Sequence, residues 1–519
     1  MSMNITEMKP REYTKKDKIN AKHETLVKGF DSGKTLDLEF RKEQLRNLYY
    51  AIKDNEQLLK DALIKDFHRS PFETEFLELH GVYSEINLAI TNLDKWAADE
   101  SLGFDIRMMM ARPVLRRQPY GSVLIFGPWN YPYLCAIVPV VSAIAAGNTV
   151  LLKPTEMAPY STEVVATILE RALHPSIFQC VTGAVEESTA LLELKWDKIM
   201  VTGSSNVGKI VATAAAKDLT PVVLELGGKS PAIVSRDANI KLAARRIAWG
   251  KFSNSGQTCI APDYVIIDDE VKEKFIAELV KALKTSYPNL DKDTEDWTHI
   301  ATDRLWDRAN KLIETTKGKV EFQWGKADKA SKFYPPTVVS GVELDDCLMG
   351  EEIFAPLLPI LSVSDVNTQA LPIARQHDYP LAAYFFTTNS KRADELLSRI
   401  RSGAAVVNDC IVQGGSAAIP FGGIKNSGTG RYHGKFGFDE FSHARPLLRQ
   451  PNFIEALLHG RYAPYRASNL KNLRFLGVPS EWFPRSGPVR RSLLSRLVNS
   501  RKVQVLVLIF LALFLKSRV

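Results

Sequence analysis

Ser122-Val-Leu-Ile-Phe126, the alanine-rich run from Val138 to Ala146, and Thr149-Val-Leu-Leu152 follow one another, with Gly121 before the first run and Gly147 before the last. Four or five consecutive apolar residues closed by glycine suit a strand buried on both faces, and the alanine-rich run between them suits a crossover helix. The texture continues with Lys198-Ile-Met-Val201 and Pro221-Val-Val-Leu224 as strands and Ser161 to Leu173 as a helix. Strand and helix in alternation predict a parallel sheet covered on both sides, and so an α/β fold.

On the N-terminal side, residues 37 to 99 predict helices, with Leu45, Leu48, Tyr49 and Ile52 at helical spacing. On the C-terminal side a second alternating region runs from Ala232 to about Val407, with a strand at Tyr264-Val-Ile-Ile267 and a helix from Val271 to Lys284. A chain of 519 residues exceeds what one core organises, so two sizeable domains with smaller appendages are expected.

The composition, 45% hydrophobic and 24% charged, is that of a globular protein. Five scattered cysteines (Cys135, Cys180, Cys259, Cys347, Cys410) form no CxxC pair and no zinc spacing, which argues against a disulfide framework and a metal site and favours a reducing compartment. The net charge of +8 is local: 13 Lys/Arg against Glu455 and Glu481 lie from residue 446 onward, leaving 54 bases and 57 acids before it. A nearly neutral body with a basic tail does not call for nucleic acid. The lysine-rich N-terminus is interrupted by Glu7, Glu12 and Asp17 and precedes no apolar core, unlike a signal or transit peptide.

At the far end, Val503-Gln-Val-Leu-Val-Leu-Ile-Phe-Leu-Ala-Leu-Phe-Leu515 lies between Lys502 and Lys516. As a helix it would span roughly 20 Å at about 1.5 Å per residue, short of the ~30 Å hydrocarbon core, although flanking lysines snorkel and a bilayer thins. Its eleven Val, Leu, Ile and Phe residues sum to roughly −3 to −7 kcal/mol on an insertion scale. Membrane anchoring through residues 503–515 is the expectation, and a helix docked in a partner or dimer groove is the alternative. Arg490, Arg491, Arg496, Arg501 and Lys502, with Leu493, Leu494, Leu497 and Val498 on one helical face, fit a surface-lying helix on anionic lipid or a solvated basic linker.

Two segments carry chemistry. Phe252-Ser-Asn-Ser-Gly-Gln-Thr-Cys259 sets a cysteine after a tight glycine turn, and Leu224-Glu225-Leu-Gly-Gly-Lys-Ser-Pro231 sets an acid at the end of an apolar strand. A buried structural thiol is a common reading of a cysteine by itself, and a cap or ion-pair acid of a glutamate. A carboxylate at the carboxyl end of a strand, however, stands where α/β folds place ligands.

These two segments match the cysteine and glutamate signatures of the aldehyde dehydrogenase superfamily. Phe30-Asp-Ser-Gly-Lys-Thr35 and Tyr432-His-Gly-Lys-Phe-Gly-Phe-Asp-Glu-Phe-Ser-His443 narrow the resemblance to the class 3 branch, which includes membrane-anchored fatty aldehyde enzymes; it covers about residues 26 to 445. The resemblance implies that Cys259 attacks the aldehyde as thiolate, that Asn130 of Pro128-Trp-Asn-Tyr-Pro132 and the cysteine's own backbone N–H stabilise the oxyanion, and that Glu225 activates the water that hydrolyses the thioester. Trp129, Tyr131 and His433 would border the substrate channel, with a structural histidine as the other reading of His433.

The same resemblance implies NAD as cofactor, with NADP possible and no metal. Thr202-Gly203-Ser204-Ser-Asn-Val207-Gly208, after a strand and before a helix from Lys209 to Lys217, would hold the pyrophosphate on backbone amides, although by itself it could be any glycine-rich loop. Lys153 and Glu156 would bond the adenine ribose, and Glu352 and Phe354 of Glu352-Ile-Phe-Ala-Pro356 the nicotinamide ribose, with Ala355 where the family more often has glycine.

The implied architecture is a Rossmann-like parallel-sheet NAD-binding domain, an α/β catalytic domain, a small β oligomerisation arm and a C-terminal tail anchor. The expected divisions are an N-terminal extension at 1–25, the NAD-binding domain at 26–226 with a bridging segment at about 98–120, the catalytic domain at 227–404, an oligomerisation and bridging segment at 405–445, a basic tail at 446–502 and the anchor at 503–515. A homodimer facing the cytosol is expected, with the mitochondrial outer membrane favoured over endoplasmic reticulum or lipid droplet. Medium- and long-chain aliphatic aldehydes are the expected substrates; aromatic aldehydes, CoA-acylating oxidation and a non-catalytic membrane scaffold are the alternatives.

Overall fold

A computed structural model describes residues 8–103, 108–455, 459–478 and 483–488, together with Ile5. The chain divides into two units, one of residues 1–97 and 117–443 and one of 98–116 and 444–519.

The first unit contains two sheets. The six-stranded sheet runs in the order Gly428–Thr429, Val222–Glu225, Lys198–Thr202, Ser122–Phe126, Thr149–Lys153, Phe178–Cys180. All its pairings are parallel except that of Gly428–Thr429 with Val222–Glu225. The apolar runs fix this arrangement, since Ser122–Phe126 and Thr149–Lys153 are buried along their whole length. Two of the predicted strands extend one residue further, to Lys153 and Thr202, and the last begins at Val222 and ends on Glu225.

From Ser122–Phe126 the chain passes first to strands on one side and later to Lys198–Thr202 on the other. The strand order therefore reverses between these two, and α/β folds bind ligands in the crevice beyond the carboxyl ends at such a point. The segments that leave those ends are Gly127 to Pro132 and Thr202 to Gly208, with Glu225 ending the neighbouring strand.

The seven-stranded sheet runs Lys319–Gln323, Thr337–Ser340, Leu357–Val363, Tyr264–Asp268, Pro231–Val234, Ala382–Phe386, Ala404–Val407. Only its first pair is antiparallel.

Helices Leu38–Lys53, Glu56–Phe67 and His80–Ala97 bear out the helical reading of residues 37 to 99. The alanine-rich helix spans Leu134–Ala146, four residues longer at its start than its apolar core suggests, because Glu78 accepts the backbone N–H groups of Tyr133 and Leu134 and satisfies donors that a helix start leaves open. It packs on His80–Ala97 and on the sheet.

A helix at Lys16–Asp31 crosses the expected boundary at residue 25; its lysines hide Ile19 and Leu26, which pack into the core with Leu124 and Leu151. The stretch 405–445 is shared out: Ala404–Val407 and Gly428–Thr429 edge the two sheets, and Gly434–Glu440 is a helix against Leu134–Ala146. In the second unit Glu100–Ser101 pairs antiparallel with Val114–Pro119, within a three-stranded sheet that Ser442–Leu447 completes. The expected anchor at 503–515 and the basic amphipathic stretch before it lie outside the described residues. Among the described residues no helix is long and apolar enough to cross a membrane.

Glu85 joins the helix His80–Ala97 to Gly434, accepting its N–H at 2.7 Å, and its second oxygen is buried without a partner. Burial pushes this carboxyl up to about 7, so the folded chain holds a proton that the unfolded chain releases near 4.5. Its contribution is therefore full below about pH 4.5 and is lost as pH rises through about 7. Glu85→Gln should flatten this loss, gaining roughly 1–3 kcal/mol relative to wild type at pH 8 against pH 5 in urea unfolding; parallel pH dependences in the two proteins would contradict it.

Candidate active site

Cys259 follows the helix Ile240–Phe252 through a turn in which Asn254, Ser255 and Gly256 all have positive φ, at 51°, 55° and 73°. Gly256 is required by contact as well as conformation, since a Cβ there would meet the carbonyl oxygen of Ala355 at 2.4 Å. Two non-glycine residues stay left-handed because side chains over-determine the turn. Asn254 Nδ2 donates to the carbonyls of Asn130 and Gln257, both at 3.0 Å, and Gln257 Oε1 accepts from Ala301 N at 3.0 Å.

Asn130 Nδ2 donates at 3.0 Å to the same Gln257 carbonyl, two residues before the cysteine. That bond uses one of the two protons on the amide nitrogen. Tyr131 OH lies 2.7 Å from Thr258 Oγ1. The asparagine loop is fixed from behind by Arg69, whose Nη2 donates to the Asn130 carbonyl at 2.8 Å while Nη1 pairs with Glu78 Oε1 at 2.5 Å.

Glu225 ends its strand 2% exposed, with neither carboxylate oxygen hydrogen-bonded. Burial, reinforced by the charge of Glu440, holds its pKa well above the usual carboxylate range. Burial also raises the Cys259 thiol, helped by the nearby Cys135, Glu352 and Glu225. Burial thus disfavours the anion of each group, and the ionised form of either is a strong base or nucleophile in a dry site.

A cavity of about 330 Å³ opens onto Cys259. Tyr131, Cys135, Phe421, Tyr432 and His433 are among its walls, which brings two of the three predicted channel residues together. His433 stacks on Phe421 at 5.5 Å, and burial pushes its imidazole down to about 4, so it is a neutral wall group. Trp129 is a correction: its ring is absent from the cavity wall and lies edge-on to Phe354 at 5.4 Å and Phe67 at 6.3 Å. The bend at Trp129 and Asn130 lays the half-buried indole against the core and leaves Tyr131 at the channel.

The predicted cofactor residues cluster at the carboxyl ends of the six-stranded sheet. Lys153 Nζ is 2.7 Å from Glu156 Oε2. The helix expected from Lys209 starts at Ser205 and ends at Ala216, because Ser204 caps it, its Oγ accepting from Val207 N at 3.4 Å. Backbone N–H groups at this end suit a phosphate anion. Gly208 is needed by packing, as a Cβ would strike the Leu226 side chain at 2.7 Å, whereas a Cβ at Gly203 meets nothing closer than 3.6 Å.

The buried Glu352 carboxyl, raised to about 8 by burial and by Asp263, lies against Gly227, where a Cβ would come within 2.0 Å of its Oε2. Phe354 follows with φ 52°. Sequence reasoning missed the groups that hold this segment. Arg308 donates to the carbonyls of Glu352 and Ile353, both at 2.6 Å; Asp263 accepts from Ile353 N at 2.9 Å; Lys229 pairs with Asp263 at 2.5 Å. Only Lys229 left a signal, as the one charge in Gly-Gly-Lys-Ser before a buried strand. Among the described residues no group of three His, Cys, Asp or Glu is placed to hold a metal, and all five cysteines are free.

The aldehyde dehydrogenase family model matches residues 6–446. The chain is 40% identical over 435 residues to an aldehyde dehydrogenase, dimeric NADP-preferring, of Canis lupus familiaris, covering 84% of this chain and 95% of that protein. It is 39% identical over 493 residues to a beta-apo-4'-carotenal oxygenase of Neurospora crassa, covering 95% and 92%. Among solved structures, the substrate-bound state of Staphylococcus aureus AldH aligns with a TM-score of 0.85 and 33% identity, over 88% of this chain and 99% of that one.

Because a side chain at Gly227 would displace the Glu352 carboxylate, Gly227→Ala should raise KM for NAD by roughly tenfold or more, with a smaller change in KM for aldehyde. Steady-state kinetics with each substrate varied checks it, and equal changes in the two constants would count against the assignment.

Proposed function

The chain belongs to the aldehyde dehydrogenase family, in its class 3 branch, and oxidises aldehydes with NAD or NADP; on that premise we propose that its substrates are medium- and long-chain aliphatic aldehydes and that Cys259, Asn130 and Glu225 carry the reaction. The carrying observation is the apolar cavity that opens onto Cys259, whose thiol feels the charge of the buried, unpartnered Glu225 carboxyl.

Cys259 as thiolate adds to the carbonyl carbon, and the resulting oxyanion accepts hydrogen bonds from the Asn130 amide and the Cys259 backbone N–H. Ser204 and the amides of the following helix would hold the phosphates of a nicotinamide cofactor, Lys153 and Glu156 its adenine ribose, and Glu352 its other ribose; when bound, it would supply the hydride acceptor needed to convert the adduct to a thioester. Glu225 takes a proton from water as the oxygen attacks the thioester carbon, the carbon–sulfur bond breaks, and the carboxylic acid leaves with Cys259 restored. A water-activating base so placed favours hydrolysis over transfer to CoA.

The Neurospora relative is named for a carotenal, a long apolar aldehyde, which supports the substrate class. The dog relative named as dimeric supports a homodimer here. Residues 503–515 would hold the chain at a membrane, the mitochondrial outer membrane by preference, where lipid-derived aldehydes concentrate; the support for this is the apolar run between cations.

In NADH formation, kcat/KM should increase from hexanal to hexadecanal, fall to background in Cys259→Ala, and climb with pH above the ordinary carboxylate range, because burial raises both groups that must lose a proton. Preference for two- to four-carbon aldehydes would reject the substrate class, and full turnover by Cys259→Ala the mechanism.

A further inference from the structure

The catalytic cavity carries exposed apolar side chains in its wall. Phe76 lines it while remaining 47% exposed, and Trp249 and Val412, also in its wall, are 39% and 44% exposed. Beyond Phe76 stands Phe72, 71% exposed, its ring stacked on that of Phe76 with centroids 5.8 Å apart and planes 24° from parallel. Phe76 also meets the imidazole of His80 edge-on at 6.0 Å, and His80, its side chain 56% exposed, is another wall residue. The stacked rings of Phe76 and Phe72 thus extend the apolar wall of the cavity out to solvent.

The backbone places them so. Pro71–Thr74 is a short helical turn started by Ser70, whose Oγ accepts from Phe72 N at 3.2 Å. Glu75–Leu79 is a π-helical turn leading into the helix His80–Ala97. Such a wide turn is rare, costs hydrogen-bond geometry, and recurs at functional sites. Here it contains Phe76, which lines the cavity while its ring stacks on that of Phe72. Burying these rings inward would be the ordinary outcome for aromatic residues, so their exposure in a continuous track calls for an apolar occupant.

We propose that Phe72 and Phe76 form an outer subsite that receives the distal methylenes of a long-chain aldehyde whose carbonyl sits at Cys259. This rests on the fatty-aldehyde reading and deepens it. A cavity of about 330 Å³ lies near the low end of the roughly 300–1,000 Å³ range of small-ligand sites. It takes the reacting end and first part of an alkyl chain, and a sixteen-carbon chain continues past Phe76 onto the Phe72 ring. Short aldehydes end before the track and gain nothing from it, so the subsite sets chain-length preference.

The test is the ratio of kcat/KM for hexadecanal to that for hexanal, measured with the purified full chain and NAD. Phe72→Ala should lower this ratio by roughly fivefold to tenfold, the loss of one or two methylene contacts at about fourfold each. Phe72→Leu, which keeps an apolar surface, should retain most of it. A wild-type ratio that does not exceed one overturns the fatty-aldehyde reading itself. A wild-type ratio well above one that Phe72→Ala leaves intact, or an equal fall for both aldehydes, overturns the subsite alone.

Discussion

Arg69 and Glu78 lie at 0% exposure, 2.5 Å apart, and both hold the same loop. The guanidinium holds the Asn130 carbonyl and faces the Tyr131 ring at 4.8 Å, and the carboxylate takes the N–H groups of Tyr133 and Leu134. Removing two charges from water costs several kcal/mol per ion, and replacing such a pair by apolar groups is often neutral for stability. Its effect here is positional: the loop that links the strand Ser122–Phe126 to the helix Leu134–Ala146 has its centre and its end fixed.

From that loop the constraint passes to Cys259. Asn130 and Asn254 both grip the Gln257 carbonyl, which secures a turn with three consecutive positive φ values. The strain is stored where the thiol must face the cavity. Glu352 and Phe354 are set on the far side by Arg308, Asp263 and Lys229, again through backbone groups. The site is thus built on carbonyls and amides of loops that charged side chains hold rigid, while Glu225 is left without a partner so that its pKa stays high.

Much of this was legible beforehand, for physical reasons. Ser122–Phe126 and Thr149–Lys153 are buried on both faces and therefore read as unbroken apolar runs. Glu225 is the first charge after such a run, and Cys259 follows a glycine turn. What could not be read is pairing across long separations. Arg69 and Glu78 look like ordinary helix charges until the fold buries them, and Arg308 sits in a helix whose other face is solvated. Trp129 and Tyr131 are alike in sequence and are separated only by a bend. The helix after Ser204 begins at Ser205 and not at Lys209, because a serine cap and a glycine-rich loop are written with the same letters.

The central claim is that Cys259 and Glu225 act in turn on one buried carbonyl, and intact-mass measurement of Glu225→Gln after mixing with decanal and NAD tests it most directly. A stable added decanoyl group on Cys259, formed together with one equivalent of NADH and released only slowly, is the expected result. NADH formed at the wild-type rate with no acylated protein would contradict it.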